Sequence, residues 1–383
     1  PLVALTGQTD LERMHKESHQ HLDVMSIMQP ITKWNARVSI PAIIPEAVRK
    51  AFRVAQTEKP GPTHLELPED VMRAECDARP IRVGRPAQTE PAEADVTRAV
   101  ALLREARCPI VLAGNGVVRQ DAAGPLRRFV EATGLRVAET FMGKGLLPAD
   151  DPRSLGAVGL QAGDYAMAGF GDADLVVAVG YDLVEHAPRV WNPRRDLRIL
   201  CVDSLAAETD AHFVPEVELI GNIGATLDQL AAACGRLDGV GGSDRLRNLV
   251  NGWLLRAEHD TTFPMCPPRI LLELRRAMAR DDVVISDVGL HKLWIARMFP
   301  THEPNTVFIA NGLAGMGIAL PTAIAAKLVH PERNVVTVNG DGGFLMNVQE
   351  LETAVRLETP IVNVVWENRQ FGSIVWKQDK KFG

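Results

Sequence analysis

Short, uninterrupted apolar runs alternate with amphipathic segments along most of this chain, and no other feature constrains the fold as tightly. Val96, Ala99, Val100 and Leu103 recur at helical spacing, and the apolar run 110–113 follows. A second helix carries Leu126, Phe129 and Val130 and is predicted to stop at Gly134 as a C-cap. Further runs lie at 175–179, 199–202 and 217–220. The rhythm then repeats, with strands at 283–285, 307–310, 335–338 and 361–366. Helices are expected at 291–299 and 318–329, and a third with Val348, Leu351 and Val355 on one face. Continuous apolar strands separated by helices predict an α/β fold of parallel sheets covered on both faces.

Two polar stretches divide this pattern. Residues 77–93 hold Pro80, Pro86 and Pro91 among charges, and the stretch from 235 holds Gly239, Gly241 and Gly242. The expected organisation is a first domain over 1–76, a linker over 77–93 and a Rossmann-like middle domain over 94–234. A linker and helix over 235–262 then lead to a last domain over 263–383. With 46% hydrophobic residues in 383, such cores can be filled, which excludes general disorder. A net charge of −6 gives no electrostatic footprint for nucleic acid, and no apolar run approaches the length of a membrane span. Cys76, Cys108, Cys201, Cys234 and Cys266 are scattered and never in C-x-x-C spacing, which argues against a disulfide framework or structural zinc and for a cytoplasmic protein. The chain opens with Pro1 directly into an apolar strand and closes on Lys380-Lys381-Phe382-Gly383 without a capping signal, so both ends are expected to be cuts.

In parallel sheets, ligands bind beyond the carboxyl ends of the strands. After the strand at 335–338 comes Asn339-Gly340-Asp341-Gly342-Gly343. Glycines let backbone approach a phosphate closely, and a carboxylate among them suits Mg²⁺, which takes few protein carboxylates. Alone, the run is equally a tight turn. Asn368 ends the next strand, 27 positions after Asp341. One helix and one strand intervene, so a parallel crossover returns both loops to the same sheet edge. Gly114-Asn115-Gly116 after an earlier strand starts like a dinucleotide-binding turn, but the third glycine position is Arg119.

The Gly-Asp-Gly turn with its later asparagine resembles the diphosphate-binding motif of thiamine diphosphate enzymes, and the whole chain resembles the acetolactate synthase family. The resemblance implies Mg²⁺ held by Asp341, Asn368 and the backbone carbonyl of Gln370. It implies cofactor contacts from Gly289, Leu290 and His291 in Asp287-Val288-Gly289-Leu290-His291-Lys292-Leu293-Trp294. It also implies contacts from Ala314, Gly315 and Met316, with Met316 wedged between the two cofactor rings, and from Gly340, Gly342, Gly343, Gly372 and Ser373. The first domain becomes the end of a pyrimidine-binding domain, in which Thr57-Glu58-Lys59-Pro60-Gly61-Pro62 and Leu65-Glu66-Leu67-Pro68-Glu69-Asp70 match the family. His15-Lys16-Glu17-Ser18-His19-Gln20 and Pro30-Ile31-Thr32-Lys33 resemble segments flanking the substrate entrance, with Gln20 and Lys33 as candidates. Gly180-Tyr181-Asp182-Leu183-Val184-Glu185-His186 stands where biosynthetic members carry an arginine- and aspartate-rich flavin segment. The chain is therefore closer to the catabolic, flavin-free branch, and FAD is not expected.

The implied activity is decarboxylation of pyruvate on thiamine diphosphate and ligation to a second 2-keto acid, giving 2-acetolactate. A homodimer or tetramer is implied, with roles in branched-chain amino acid biosynthesis or the acetoin and butanediol pathway. The family's activating glutamate is expected upstream of Pro1, so this chain alone is expected to be inactive. The alternatives are a pyruvate oxidase, glyoxylate carboligase or 2-keto acid decarboxylase, which share the same metal clamp, or a non-catalytic member acting by association.

Overall fold

The computed structural model describes residues 1–84 and 89–383; Pro86 of the first polar stretch lies outside the described residues. The chain forms two compact units, divided after residue 87.

In the first unit, β1 (Leu2–Gln8), β2 (Trp34–Arg37) and β3 (Pro62–Pro68) form a parallel sheet in the order β1-β3-β2. Helix Ile44–Gln56 starts with a proline in its first turn, has Glu46 near its N-terminus and Arg53 in its last turn, and buries Ala51 and Ala55. These alanines pack with Val38, Leu65 and Val71 to fill the small core.

The second unit holds two parallel sheets. The larger comprises β4 (Pro109–Ala113), β5 (Val137–Thr140), β6 (Ser154–Val158), β7 (Leu175–Val179), β8 (Arg198–Asp203) and β9 (Val217–Ile220). Its order, β6-β5-β4-β7-β8-β9, is that of a doubly wound sheet whose direction of winding reverses between β4 and β7. β4 and β7 are buried at every position, because helices cover both faces. One face packs Leu103, Leu126, Phe129 and Leu227, and the other packs Tyr165, Phe170, Trp191 and Leu246. Helix Ala123–Thr133 ends at Gly134 in the left-handed conformation (φ 82°), the C-cap that the sequence predicts.

The smaller sheet has β10 (Val283–Ser286), β11 (Val307–Ile309), β12 (Val335–Gly340) and β13 (Val362–Trp366) in the order β11-β10-β12-β13. Val284, Ile295, Phe299 and Val338 pack on one side, and Val283, Ile285, Ala319, Ala323 and Val335 on the other. Helices Leu290–Met298 and Ala319–Val329 follow the sequence pattern closely.

The third expected helix is corrected. The segment after β12 turns at once into Asp341–Met346, breaks at Asn347, and resumes as Glu350–Arg356. Val348 therefore lies outside the second piece, and Val355 is 79% exposed while Ala354 is buried. The break rotates the apolar stripe, so a periodicity read across it assigns the wrong face.

Candidate active site

β12 and β13 pair in parallel with Gly340 opposite Trp366, so the segments that follow leave from the same sheet edge. There, one carboxylate oxygen of Asp341 accepts the backbone N–H of Gly342 at 2.9 Å, and the other accepts the N–H of Arg369 at 3.0 Å. The amide oxygen of Asn368 accepts the N–H of Gln370 at 3.3 Å. The Gln370 carbonyl accepts the N–H of Gly372, at the start of helix Gly372–Phe382, at 2.9 Å. One carboxylate, one amide oxygen and one backbone carbonyl are thus gathered in one place. Among the described residues no cluster of three or more His, Cys, Asp or Glu is arranged to hold a metal. A hard cation would therefore draw its remaining ligands from outside the protein, as Mg²⁺ commonly does with phosphate oxygens and water.

The glycines beside these donors keep space clear. A Cβ on Gly342 would lie 3.1 Å from the Phe371 ring and 3.7 Å from Cε of Met316. On Gly343 it would lie 2.9 Å from an Asp287 carboxylate oxygen, and on Gly372 2.8 Å from the Asn368 amide nitrogen. Leu290 lies against Gly372 at 3.5 Å by the same measure. His291 is buried against Gly289 and Gly340, its Nε2 has no partner among the described residues, and burial pushes its imidazole down to about 4, leaving it neutral. Ser373 is half-buried in the first turn of the helix that Gly372 opens.

The segment 311–317 is held by a residue to which the sequence reading assigned no role. Asp287, fully buried at the end of β10, accepts the Gly317 N–H with both carboxylate oxygens at 2.9 Å and the Val288 N–H at 2.6 Å. Burial pushes this carboxyl's pKa up, opposed by those donors. Asn347 donates to the Gly317 carbonyl at 2.8 Å. Together they present Met316, half-buried, toward Gly342. Ala314 adopts the left-handed region at φ 47°, unusual for a residue with a Cβ, while Gly315 is exposed with open space beside it. The available signal for Asp287 was an acid ending an apolar strand just before a glycine.

The two entrance candidates lie in the first unit and are not brought together there. Gln20, at φ 56°, lines an open polar cavity with Gln8, Arg13, His19 and Arg73. Lys33 donates to the carbonyls of Thr57 and Lys59 at 2.6 and 2.8 Å and so braces the turn before β3.

The strand-order reversal in the larger sheet is closed by the chain itself. A Cβ on Gly114 would meet the Gly180 carbonyl at 2.5 Å, and one on Gly116 would meet the Gly180 Cα at 2.6 Å. The buried Glu185 carboxylate accepts the N–H of Asn115 at 3.0 Å, where a nucleotide phosphate would otherwise bind.

Residues 96–230 match the family described as thiamine pyrophosphate enzyme, central domain, and residues 287–383 match its C-terminal TPP binding domain. The whole chain is 34% identical to the acetolactate synthase of Bacillus subtilis (strain 168) and covers 68% of that protein. The chain belongs to the acetolactate synthase family of thiamine pyrophosphate enzymes. Within that family it is 32% identical to the catabolic acetolactate synthase of Raoultella terrigena, over all of this chain and 69% of the relative. Similarity extends to the glyoxylate carboligase of Escherichia coli O157:H7, at 29% over 98% of this chain and 65% of the relative. As a member of the acetolactate synthase family, the chain is a thiamine pyrophosphate-dependent enzyme of the transferase and lyase type. Among the described residues, no helix is long and apolar enough to cross a membrane.

Proposed function

We propose that this protein forms 2-acetolactate, by decarboxylating pyruvate and joining the retained two-carbon unit to a second 2-keto acid. The observation that carries the reading is the convergence of Asp341 with Asn368 and Gln370 at one edge of the smaller sheet. In this reading Asp341, Asn368 and the Gln370 carbonyl hold Mg²⁺. Thiamine diphosphate, when bound, supplies the electron sink for carbon–carbon cleavage and ligation.

The chain's own residues bind and orient. Gly340, Gly342, Gly343 and Gly372 keep side chains off the space beside the metal donors. Gly289, Leu290 and neutral His291 line the same side, where a neutral imidazole can donate one hydrogen bond to a phosphate oxygen without adding a charge. Met316, with Ala314 and Gly315, forms the wall that fixes the angle between the cofactor's rings. Ser373 caps the pocket beside Gly372. Gln20 and Lys33 serve the substrate entrance. We assign no step to a flavin, a reading supported by the Glu185 carboxylate at the Asn115 N–H and by the close approach of Gly114 and Gly116 to Gly180.

The similarity to the Raoultella terrigena enzyme favours the catabolic branch and an acetoin or butanediol role over branched-chain amino acid biosynthesis, with the protein acting as a cytoplasmic homodimer or tetramer. The relative named glyoxylate carboligase makes ligation of glyoxylate the second reading. Product analysis on the native holoenzyme separates them. Acetolactate from pyruvate supports the proposal; acetaldehyde or acetyl phosphate from pyruvate, or turnover of glyoxylate alone, overturns it.

A further inference from the structure

One helix joins the candidate cofactor site to the larger sheet. Helix Leu290–Met298 carries His291 in its first turn and Arg297 in its last. Six steps separate them, which is about 9 Å along the axis and about 240° around it. The two side chains therefore face different parts of the molecule. His291 sits against Gly289 and Gly340 at the edge of the smaller sheet. The Arg297 guanidinium donates to Asp164, in helix Ala162–Ala168, whose Tyr165 packs on the larger sheet.

This ion pair is nearly dry. The Asp164 side chain is fully buried and that of Arg297 is 16% exposed. Asp164 is itself fixed, because its second oxygen accepts the N–H groups of Leu160 at 3.1 Å and Gln161 at 2.9 Å. Arg297 depends on it. Asp164 is the one hydrogen-bond acceptor of its guanidinium among the described residues, and its Nε has none. The neighbouring pairs Arg127–Glu303 and Arg280–Asp150 are more exposed and hold less. At the other end of the helix, Lys292 donates to the Ala310 carbonyl, and its ammonium lies 5.7 Å from the centroid of the Phe141 ring. The helix is thus anchored near both ends.

We infer that Asp164 is a positioning residue, which acts through Arg297 to set the angle of helix Leu290–Met298 and so the placement of His291 at the cofactor site. Asp164 touches neither cofactor nor substrate. Without its grip the helix is free to pivot about the Lys292 anchor, and His291 and Leu290 shift relative to Asp341. The inference rests on the thiamine diphosphate reading above.

The test compares the native protein with Asp164→Asn and with Asp164→Asn/Arg297→Met. Asp164→Asn keeps an acceptor for the Leu160 and Gln161 N–H groups but leaves the Arg297 charge buried and unpaired, so Tm should fall. The double variant removes that charge, and Tm should largely recover. A positioning role predicts that affinity does not recover with it. In calorimetric titration with Mg²⁺, both variants should bind thiamine diphosphate about tenfold more weakly than the parent. Amide hydrogen exchange over residues 290–293, measured without cofactor, should speed up in both. If the parent binds and the variants bind equally well, or if affinity returns with Tm in the double variant, the inference is overturned and the cofactor reading stands. If exchange over 290–293 is unchanged, the inference is likewise overturned. A parent that binds no thiamine diphosphate removes the cofactor reading, and the inference with it.

Discussion

The carboxylate of Asp287 accepts the backbone N–H of Gly317 with both of its oxygens, 30 residues further along the chain. A strand end and the loop after a neighbouring strand are thereby locked by one side chain. Asp287→Ala strands the Gly317 and Val288 N–H groups in a buried place. It should destabilise the fold by about 2–4 kcal/mol, measured by urea unfolding. Asp287→Asn keeps one acceptor and should cost about half of that. In both variants thiamine diphosphate affinity should fall more than global stability explains, because Met316 and its neighbours lose their anchor.

Asp341→Ala and Asn368→Ala separate a metal role from a structural one. Each removes a proposed Mg²⁺ ligand at a solvent-facing edge, where little folding energy is stored. Unfolding midpoints should shift by less than about 1 kcal/mol, while Mg²⁺-dependent thiamine diphosphate affinity falls roughly 100-fold. Chelation of Mg²⁺ in the parent protein should reproduce the affinity loss. Quenching of Trp366 fluorescence offers a readout, since its ring lies 6.3 Å from that of His291.

Glu185 gives a pH signature. Burial pushes its carboxyl up to about 7 from 4.5, against the donors that lower it. A raised folded-state pKa means the folded form binds the proton more tightly than the unfolded form. The associated stability is complete below about pH 4.5, declines as pH rises toward 7, and is absent above that. Glu185→Gln keeps an acceptor for the Asn115 N–H but cannot ionise. The stability difference, parent minus variant, should fall by about 3 kcal/mol between pH 4.5 and 8. A difference that stays level across this range contradicts the assignment.

The corrected helix is testable by paired substitutions. Val355→Ser on the exposed face should change stability by less than about 0.5 kcal/mol. Ala354→Leu forces extra volume into the buried side and should cost about 1–3 kcal/mol.

Much of this arrangement was legible because it is written in local patterns. The apolar runs of β4, β7, β10 and β12 are continuous, and parallel crossover geometry brings Asp341 and Asn368 together whatever the details of packing. Gly134 announced a helix end through the one backbone conformation that favours glycine. β5 and β6 were missed. β5 carries the buried Glu139 among only four residues, and β6 contains Ser154 and Gly156, so neither presents an apolar run. Their burial is decided by neighbours distant in sequence. Asp287 was passed over for a related reason, since its role consists of hydrogen bonds to backbone 30 residues away, which side-chain periodicity does not record. The closure between Gly114 and Gly180 depends on contact between two backbones, visible only once the strands are set side by side.

The position of Glu185 also bears on how this molecule can change over evolutionary time. A descendant that acquired a nucleotide in the larger sheet would first have to evict an internal carboxylate and reopen two apposed turns, losing cohesion before any new ligand repaid it. The intermediate would be less stable and no better at binding, so gradual recruitment runs uphill. New small-molecule partners are more readily gained elsewhere on the molecule than at the classical crevice of this sheet.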